Sequence, residues 1–220
     1  MPAPLDLVPD LLRGLLVTLE VTAGAAALAL VMSFAGGLGR LSGSRTVRAL
    51  SRVYIEVFRG TSALVQLFWV YFVLPFFGVS IEPITAGILV LGLNIGAYGS
   101  EVVRGAIQAV PADQYDAAVA LNFSSRRTLW RIVVPQALPV MIPPAGNLLI
   151  ELLKSTALVS LITLGDLTFA AQTLRADTLR TPEIFTLVLF MYFGVALVLS
   201  RGVRRLERRL SFWRHAEAGR

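Results

Sequence analysis

Five continuous apolar runs, at about 11–38, 63–79, 84–103, 138–164 and 184–199, limit what this chain can fold into. A bilayer core about 30 Å thick is crossed by about 20 mostly apolar residues in helical form, whereas a barrel strand shows alternating polarity over about 10. These runs do not alternate. Hydrophobic residues make up 55% of the 220 and charged residues 15%, which places the chain in the membrane class. Backbone groups in lipid must bond within their own segment, so the expected fold is all-α, an integral membrane protein of about five spans forming one domain over 1–220.

Charge distribution sets the expected topology. The net charge of +6 comes from nineteen arginines and one lysine. Arg40, Arg45, Arg48, Arg52 and Arg59 lie between the first two runs, Arg126, Arg127 and Arg131 between the third and fourth, and Arg201, Arg204, Arg205, Arg208 and Arg209 after the fifth. The connection near Gly78 has only Glu82, and the loop at 165–183 balances Arg175 and Arg180 with Asp166, Asp177 and Glu183. By the positive-inside rule the N-terminus is expected outside and the C-terminus in the cytoplasm. The N-terminal MPAPLDLVPD lacks the basic region of a signal peptide, so the first run is expected to stay as a span.

The same residues exclude several functions. No aromatic residues interleave with a basic groove, so nucleic acid is not an expected partner. No cysteine is present, and the only histidine, His215, lies in the polar tail, so neither a metal site nor a cofactor is expected. No HExxH, Gly-x-Ser-x-Gly or Ser/His pair points to an intramembrane enzyme. Lys154-Ser155-Thr156 has the ending of a phosphate-binding loop, but Leu148 and Leu153 stand where its glycines belong, so the chain is not expected to bind ATP. The arginines at 45–59 come with Val47, Leu50, Tyr54 and Val57 at helical spacing, which predicts an amphipathic helix at the inner surface. The basic tail continues the fifth helix, with membrane lipid as a secondary partner. In the first run, TAGAAALA offers small residues for close approach of another helix.

The polar segment at 111–136 stands apart. Pro111 is expected to end or redirect the third span. Residues 112–121 then suit a helix of about three turns, with Asp113 and Asp116 near its positive N-terminus. Asn122 tolerates the left-handed conformation that stops helices. Ser124 or Ser125 can cap a second short helix, expected to run to Pro135. Ala117, Ala118 and Ala120 give the first of these helices a slim surface suited to a protein groove.

The run DAAVALNFSSRRTLWRIVVPQALP resembles the cytoplasmic loop of permease subunits in ATP-binding-cassette (ABC) importers, where Glu-Ala-Ala is followed by a glycine and later by Leu-Pro. Here Asp116 replaces the glutamate, Asn122 the glycine, and Val134-Pro135 the Leu-Pro pair. RGLLVTLEVT, YIEVFRGTSALVQLFWVYFVLP and NIGAYGSEVVRGAIQAVPADQYDAA are similar to the polar amino-acid branch of that family. PQALPVMIPPAGNLLIELLKSTALVSLITLGDLT is most similar to permeases for ectoine and hydroxyectoine. The resemblance implies a type I importer fold in a bacterial inner membrane and a coupling helix that plugs into an ATPase subunit. Asp113, Asp116, Ala117, Ala118, Leu121, Asn122 and Pro135 are the implied coupling positions. It also implies a second permease subunit, the same or different, and an extracytoplasmic solute-binding protein. ATP hydrolysis would belong to the partner.

Ionised groups in the spans narrow the search for a pathway. Glu151 and Lys154 fall three apart in the fourth run, on one helix face. Each costs about 2.5 to 3.5 kcal/mol at the bilayer centre, so they should face protein or water. Either they pair with each other, or with Asn147, Ser155 and Thr156 they line the path of a zwitterionic solute. Pro143 and Pro144 are expected to interrupt this helix beside a cavity. Glu101 and Arg104 are expected to pair near the inner end of the third span, and Glu20 to face the bundle.

Cysteines placed at Val79 and Asp177 in this cysteine-free chain should react with an impermeant thiol reagent from outside, and one at Ser124 should not. Labelling of position 124 in sealed right-side-out vesicles would overturn the five-span topology.

Overall fold

A computed structural model describes residues 4–215, with side chains over 6–210, so the His215 side chain lies outside the described residues. A short 3-10 turn, Pro4–Leu7, leads into α1 (Val8–Arg40), followed by α2 (Arg45–Gly60) and α3 (Ala63–Phe68). Next come α4 (Pro83–Gln108), α5 (Ala112–Ala120), α6 (Ser125–Thr128), α7 (Val134–Ser155), α8 (Leu167–Thr178) and α9 (Thr181–His215). Four segments are long and apolar enough to cross a membrane: Val8–Arg40, Pro83–Gln108, Ser125–Ile162 and Thr181–Leu210. The bent pair of α2 and the segment Ala63–Phe77, which meet at 102°, makes a fifth when counted as one broken span.

The small residues of α1 meet α4 in a fixed register. A side chain at Gly24 would come within 2.7 Å of Ile88, one at Gly92 within 2.9 Å of Leu28, and one at Gly96 within 2.8 Å of Met32. One at Gly37 would come within 2.8 Å of Val103. The contacts advance together along both helices, so α1 and α4 run parallel, a glycine on one receiving a larger side chain of the other. Cross-helix hydrogen bonds join the seam: Ser100 Oγ donates to Met32 O at 3.3 Å and Ser33 Oγ to Gly96 O at 3.4 Å.

Three apolar clusters stack along this seam. At one end Leu7 and Leu11 pack with Leu167, Ala171, Ile184 and Val188. In the middle Val21, Ala25 and Ala29 pack with Val90, Leu91, Leu152 and Val159. At the other end Val103, Ala106 and Ile107 pack with Val133, Ala137 and Met141. The arginine-rich ends of α1 and α9 and the α5–α6 loop therefore share one end of the bundle.

The amphipathic helix expected at 45–59 forms as α2, with Ile55 its one buried residue. A polar knot holds the corner after it. Asn94 Nδ2 donates to Phe58 O at 2.9 Å and to Gln66 Oε1 at 3.2 Å, while Gln66 Nε2 donates to Phe58 O at 3.0 Å and to Thr61 Oγ1 at 2.6 Å. Tyr54 Oη donates to Leu93 O at 2.7 Å. These bonds satisfy carbonyls that the turn from α2 to α3 leaves without helical partners. The second apolar run does not continue as one regular helix: α3 passes into a π-helical turn, Trp69–Val73, and a 3-10 turn, Leu74–Phe77, ending at Gly78 with φ 82°.

Two expectations about proline are corrected. Pro135 does not close the second short helix, because the chain runs from α6 through a π-helical turn, Leu129–Val133, directly into α7. There Val134 N donates to Leu129 O, and Pro135 lies in the first turn of α7 without ending the helix. Nor do Pro143 and Pro144 unwind the fourth span, since α7 carries them, with Pro139, in its interior. The α-helix gives way only at Thr156–Ile162, a 3-10 segment ended by Thr163 at φ 64°.

The loop at 165–183 also contains a helix that the apolar pattern did not predict. Asp166 caps α8, accepting from Phe169 N at 3.0 Å and Thr168 N at 3.2 Å. Its carboxyl is fully buried, and burial pushes its pKa up from the ordinary value against the pull of those two N–H donors. Leu167 N donates to Thr18 Oγ1 at 3.1 Å, which fastens α8 to α1 where Gly14 leaves no room for a side chain.

Candidate coupling loop and membrane pathway

The loop between α4 and α7 folds as its residues dictate. Pro111, with φ −56° and ψ 143°, is the N-cap of α5, and Asp113 lies in its first turn. Asn122 takes φ 56°, Asn122 N donates to Val119 O at 2.9 Å, and Phe123 N donates to Ala118 O at 3.0 Å. That pair of bonds around a left-handed residue is the Schellman motif, usually built on glycine. Ser124 is the cap of α6, its Oγ accepting from Arg127 N at 3.4 Å.

Exposure separates the positions named from the sequence. Asp113, Asp116, Ala117, Leu121, Asn122 and Pro135 are exposed, whereas Ala118 is fully buried within the chain. Ala118 is therefore corrected from a groove-facing position to a packing one, and the side chain the sequence reading missed is Val119, 72% exposed beside Leu121 at 67%. No local signal in the sequence separates Val119 from Ala118. Under α5 lies a groove of about 560 Å³ bounded by Tyr115, Val119 and Phe123 on one side and by Leu38, Leu41 and Ile107 on the other. Tyr115 Oη donates to Ile107 O at 3.4 Å, and Gln136 Nε2 to Gln114 Oε1 at 3.0 Å. These bonds tie α5 to the ends of α4 and α7.

On α7, Asn147, Glu151 and Lys154 are all exposed in the single chain and recur at helical spacing as one stripe, with half-buried Ser155 beside it. No ion pair joins Glu151 to Lys154; the ion pairs found among the described residues include Glu101 with Arg104 at 2.7 Å, as expected, and Asp6 with Arg180 at 3.1 Å. Thr156 departs from the stripe: it is fully buried and donates to Leu153 O at 2.7 Å, so it closes the end of α7 rather than lining a path. Glu20, expected to face the bundle, is exposed on α1.

This arrangement of spans recurs in a solved transporter chain, and the sequence matches a known family. Residues 17–212 match the binding-protein-dependent transport system inner membrane component, and the chain belongs to that family of bacterial inner-membrane permeases. It is 52% identical over 215 residues to the probable amino-acid ABC transporter permease protein y4tF of Sinorhizobium fredii, covering 95% of this chain and 90% of that one. It is 36% identical to the glutamine transport system permease protein GlnP of Escherichia coli, covering 92% and 94% of the two chains. Among solved structures it resembles a chain of an amino acid ABC transporter crystallised with histidines, with a TM-score of 0.86, 34% identity and coverage of 93% and 96%. A chain of the MetNI methionine ABC transporter shares the fold with a TM-score of 0.76 at 20% identity.

Asn122→Gly should preserve the α5 turn, and Asn122→Val, which places a β-branched residue at positive φ, should cost about 1–2 kcal/mol locally. Limited proteolysis of the loop at 111–136 reads this: faster cleavage is expected for the valine variant only, and equal rates for both would contradict the assigned turn.

Proposed function

We propose that this permease subunit of an amino-acid ABC importer carries a small polar, zwitterionic amino-acid derivative, with ectoine or hydroxyectoine preferred. It works with a second permease subunit, the same or different, an ATP-binding-cassette ATPase that receives α5, and a solute-binding protein on the opposite side. The N-terminus is outside and the C-terminus cytoplasmic, with the arginine-rich end and α5 facing the ATPase. Hydrolysis takes place in the ATPase, and this chain converts ATPase closure into movement of α4 and α7.

The observation that carries the pathway is the exposed stripe of Asn147, Glu151 and Lys154 in the middle of a span. Charges without partners in their own chain cannot rest against lipid, so a second permease subunit and water cover them. A carboxylate and an ammonium three residues apart on one face offer complementary charge to the cation and carboxylate of a zwitterion, replacing part of its hydration as it crosses. Support for ectoine comes from the run at 135–168. Glutamine, histidine or arginine is the second reading, favoured by relatives named for amino acids and for glutamine.

Glu151→Leu combined with Lys154→Met should insert and assemble normally but lower uptake at least tenfold, since each charged hydrogen bond is worth about 1.5–3 kcal/mol. Uptake of ectoine, glutamine, histidine and arginine into proteoliposomes loaded with ATP measures both the loss and the preference. Parental uptake by the double variant would remove these side chains from the pathway, and a preference for another amino acid would replace ectoine.

A further inference from the structure

A cavity of about 400 Å³ lies between α1, α4, α7 and α9, away from the stripe on α7. Its walls include Ala29, Ile95, Met141, Leu152 and Val203. Among the described residues the one polar side chain lining it is Ser33, whose hydroxyl donates to Ala29 O at 2.6 Å and to Gly96 O at 3.4 Å. Such a space offers neither a polar solute nor a water the two to four polar partners it needs. Its occupant is therefore apolar.

Leu30 of α1, 61% exposed, and Leu206 of α9, 51% exposed, line the cavity and open it to the surroundings. The α9 wall consists of Val203, Leu206 and Leu210, at the helical spacing of one face. Arg209, exposed three residues on from Leu206, lies at the edge of that face, and Arg205, also exposed, lies one turn before it and farther round the helix, at the arginine-rich end of the bundle. Two turns of a helix 10 Å across fill about 850 Å³, roughly twice the space available, so a partner's helix is too wide to enter. A flexible hydrocarbon chain is not.

We propose that this cavity is a binding site for an anionic phospholipid, with one acyl chain between α1 and α9 and the phosphate at Arg205 and Arg209. Basic pockets between membrane helices recognise anionic headgroups in this way, each arginine near the surface contributing about a fivefold preference. The acyl chain would lie beside the contact of α7 with α9, where Gly146 meets Val203 with no room for a side chain. The inference is independent of which solute is carried.

The test is native mass spectrometry of the assembled transporter, extracted in mild detergent and mixed with phosphatidylglycerol and phosphatidylethanolamine of identical acyl chains. Phosphatidylglycerol should be retained on the order of tenfold more than phosphatidylethanolamine, and Arg205→Gln with Arg209→Gln should bring the two to parity. Ala145→Phe, at an exposed position on the cavity wall, should sharply reduce retention of both lipids. Ala26→Leu, which enters the same space from α1, should do the same if the first variant fails to assemble. Equal retention of the two lipids by the parent, or undiminished retention by the filled variants, would overturn the site. So would a cross-link from Leu206→Cys to a neighbouring subunit.

Discussion

The parallel seam between α1 and α4 sets the position of everything else. Two helices in lipid gain nothing from burying apolar surface against each other, because the hydrocarbon around them is as apolar as their side chains; they gain dispersion contacts only by approaching closely. Glycine makes that approach possible, and here the glycines alternate between partners: Gly24 receives Ile88, Gly92 receives Leu28, Gly96 receives Met32 and Gly37 receives Val103. A shift of one residue along the seam would place Leu28 or Met32 against side chains instead of glycine. The seam therefore fixes register as well as distance, and α7, α8 and α9 dock on a rigid pair.

From that pair, irregular backbone follows a rule. Where the helix is interrupted, side chains or adjusted helical turns satisfy the freed groups, as lipid cannot. The corner of 102° is closed by Asn94, Gln66 and Thr61. The π-helical turn at Leu129–Val133 leads the chain into Pro135 without ending the helix, with Val134 N bonded to Leu129 O. Thr163 adopts a left-handed conformation that a β-branched residue rarely takes, and two backbone bonds around it, Thr163 N to Ser160 O and Leu164 N to Val159 O, both at 3.3 Å, stop the 3-10 segment. The same pattern of bonds stops α5 at Asn122. One turn device thus ends a helix at each end of the fourth span.

Much of this was legible in the sequence, for physical reasons. Apolar runs, arginine placement, the small residues of α1, the left-handed Asn122 and the Ser124 cap are local signals, each decided within a few residues. The missed features depend on contacts between distant positions. Ala118 and Val119 are adjacent small apolar residues, and only the way α5 is set against the rest of the chain decides that one is buried and the other exposed. Pro135, Pro143 and Pro144 read locally as breaks, yet a π-helical turn and neighbouring helices accommodate them. The knot at Asn94 joins residues 28 and 36 positions apart, beyond the reach of any local pattern. Thr156 is polar and adjoins the stripe in sequence, but it falls on the opposite face of the helix from Asn147, Glu151 and Lys154 and is buried.

The account rests most heavily on α5 meeting an ATPase subunit, since the seam, the groove beneath α5 and the bonds to Ile107 and Gln114 would pass movement on from that contact. Its most direct measurement is site-specific photocross-linking in membranes containing the co-expressed ATPase, with the photoreactive residue at Val119 or at Phe76, which is 89% exposed near the opposite end. The account predicts an adduct with the ATPase from position 119 that changes in yield when ATP is added, and none from position 76. An ATPase adduct from position 76, or none from position 119 in a transporter that still imports solute, would contradict it.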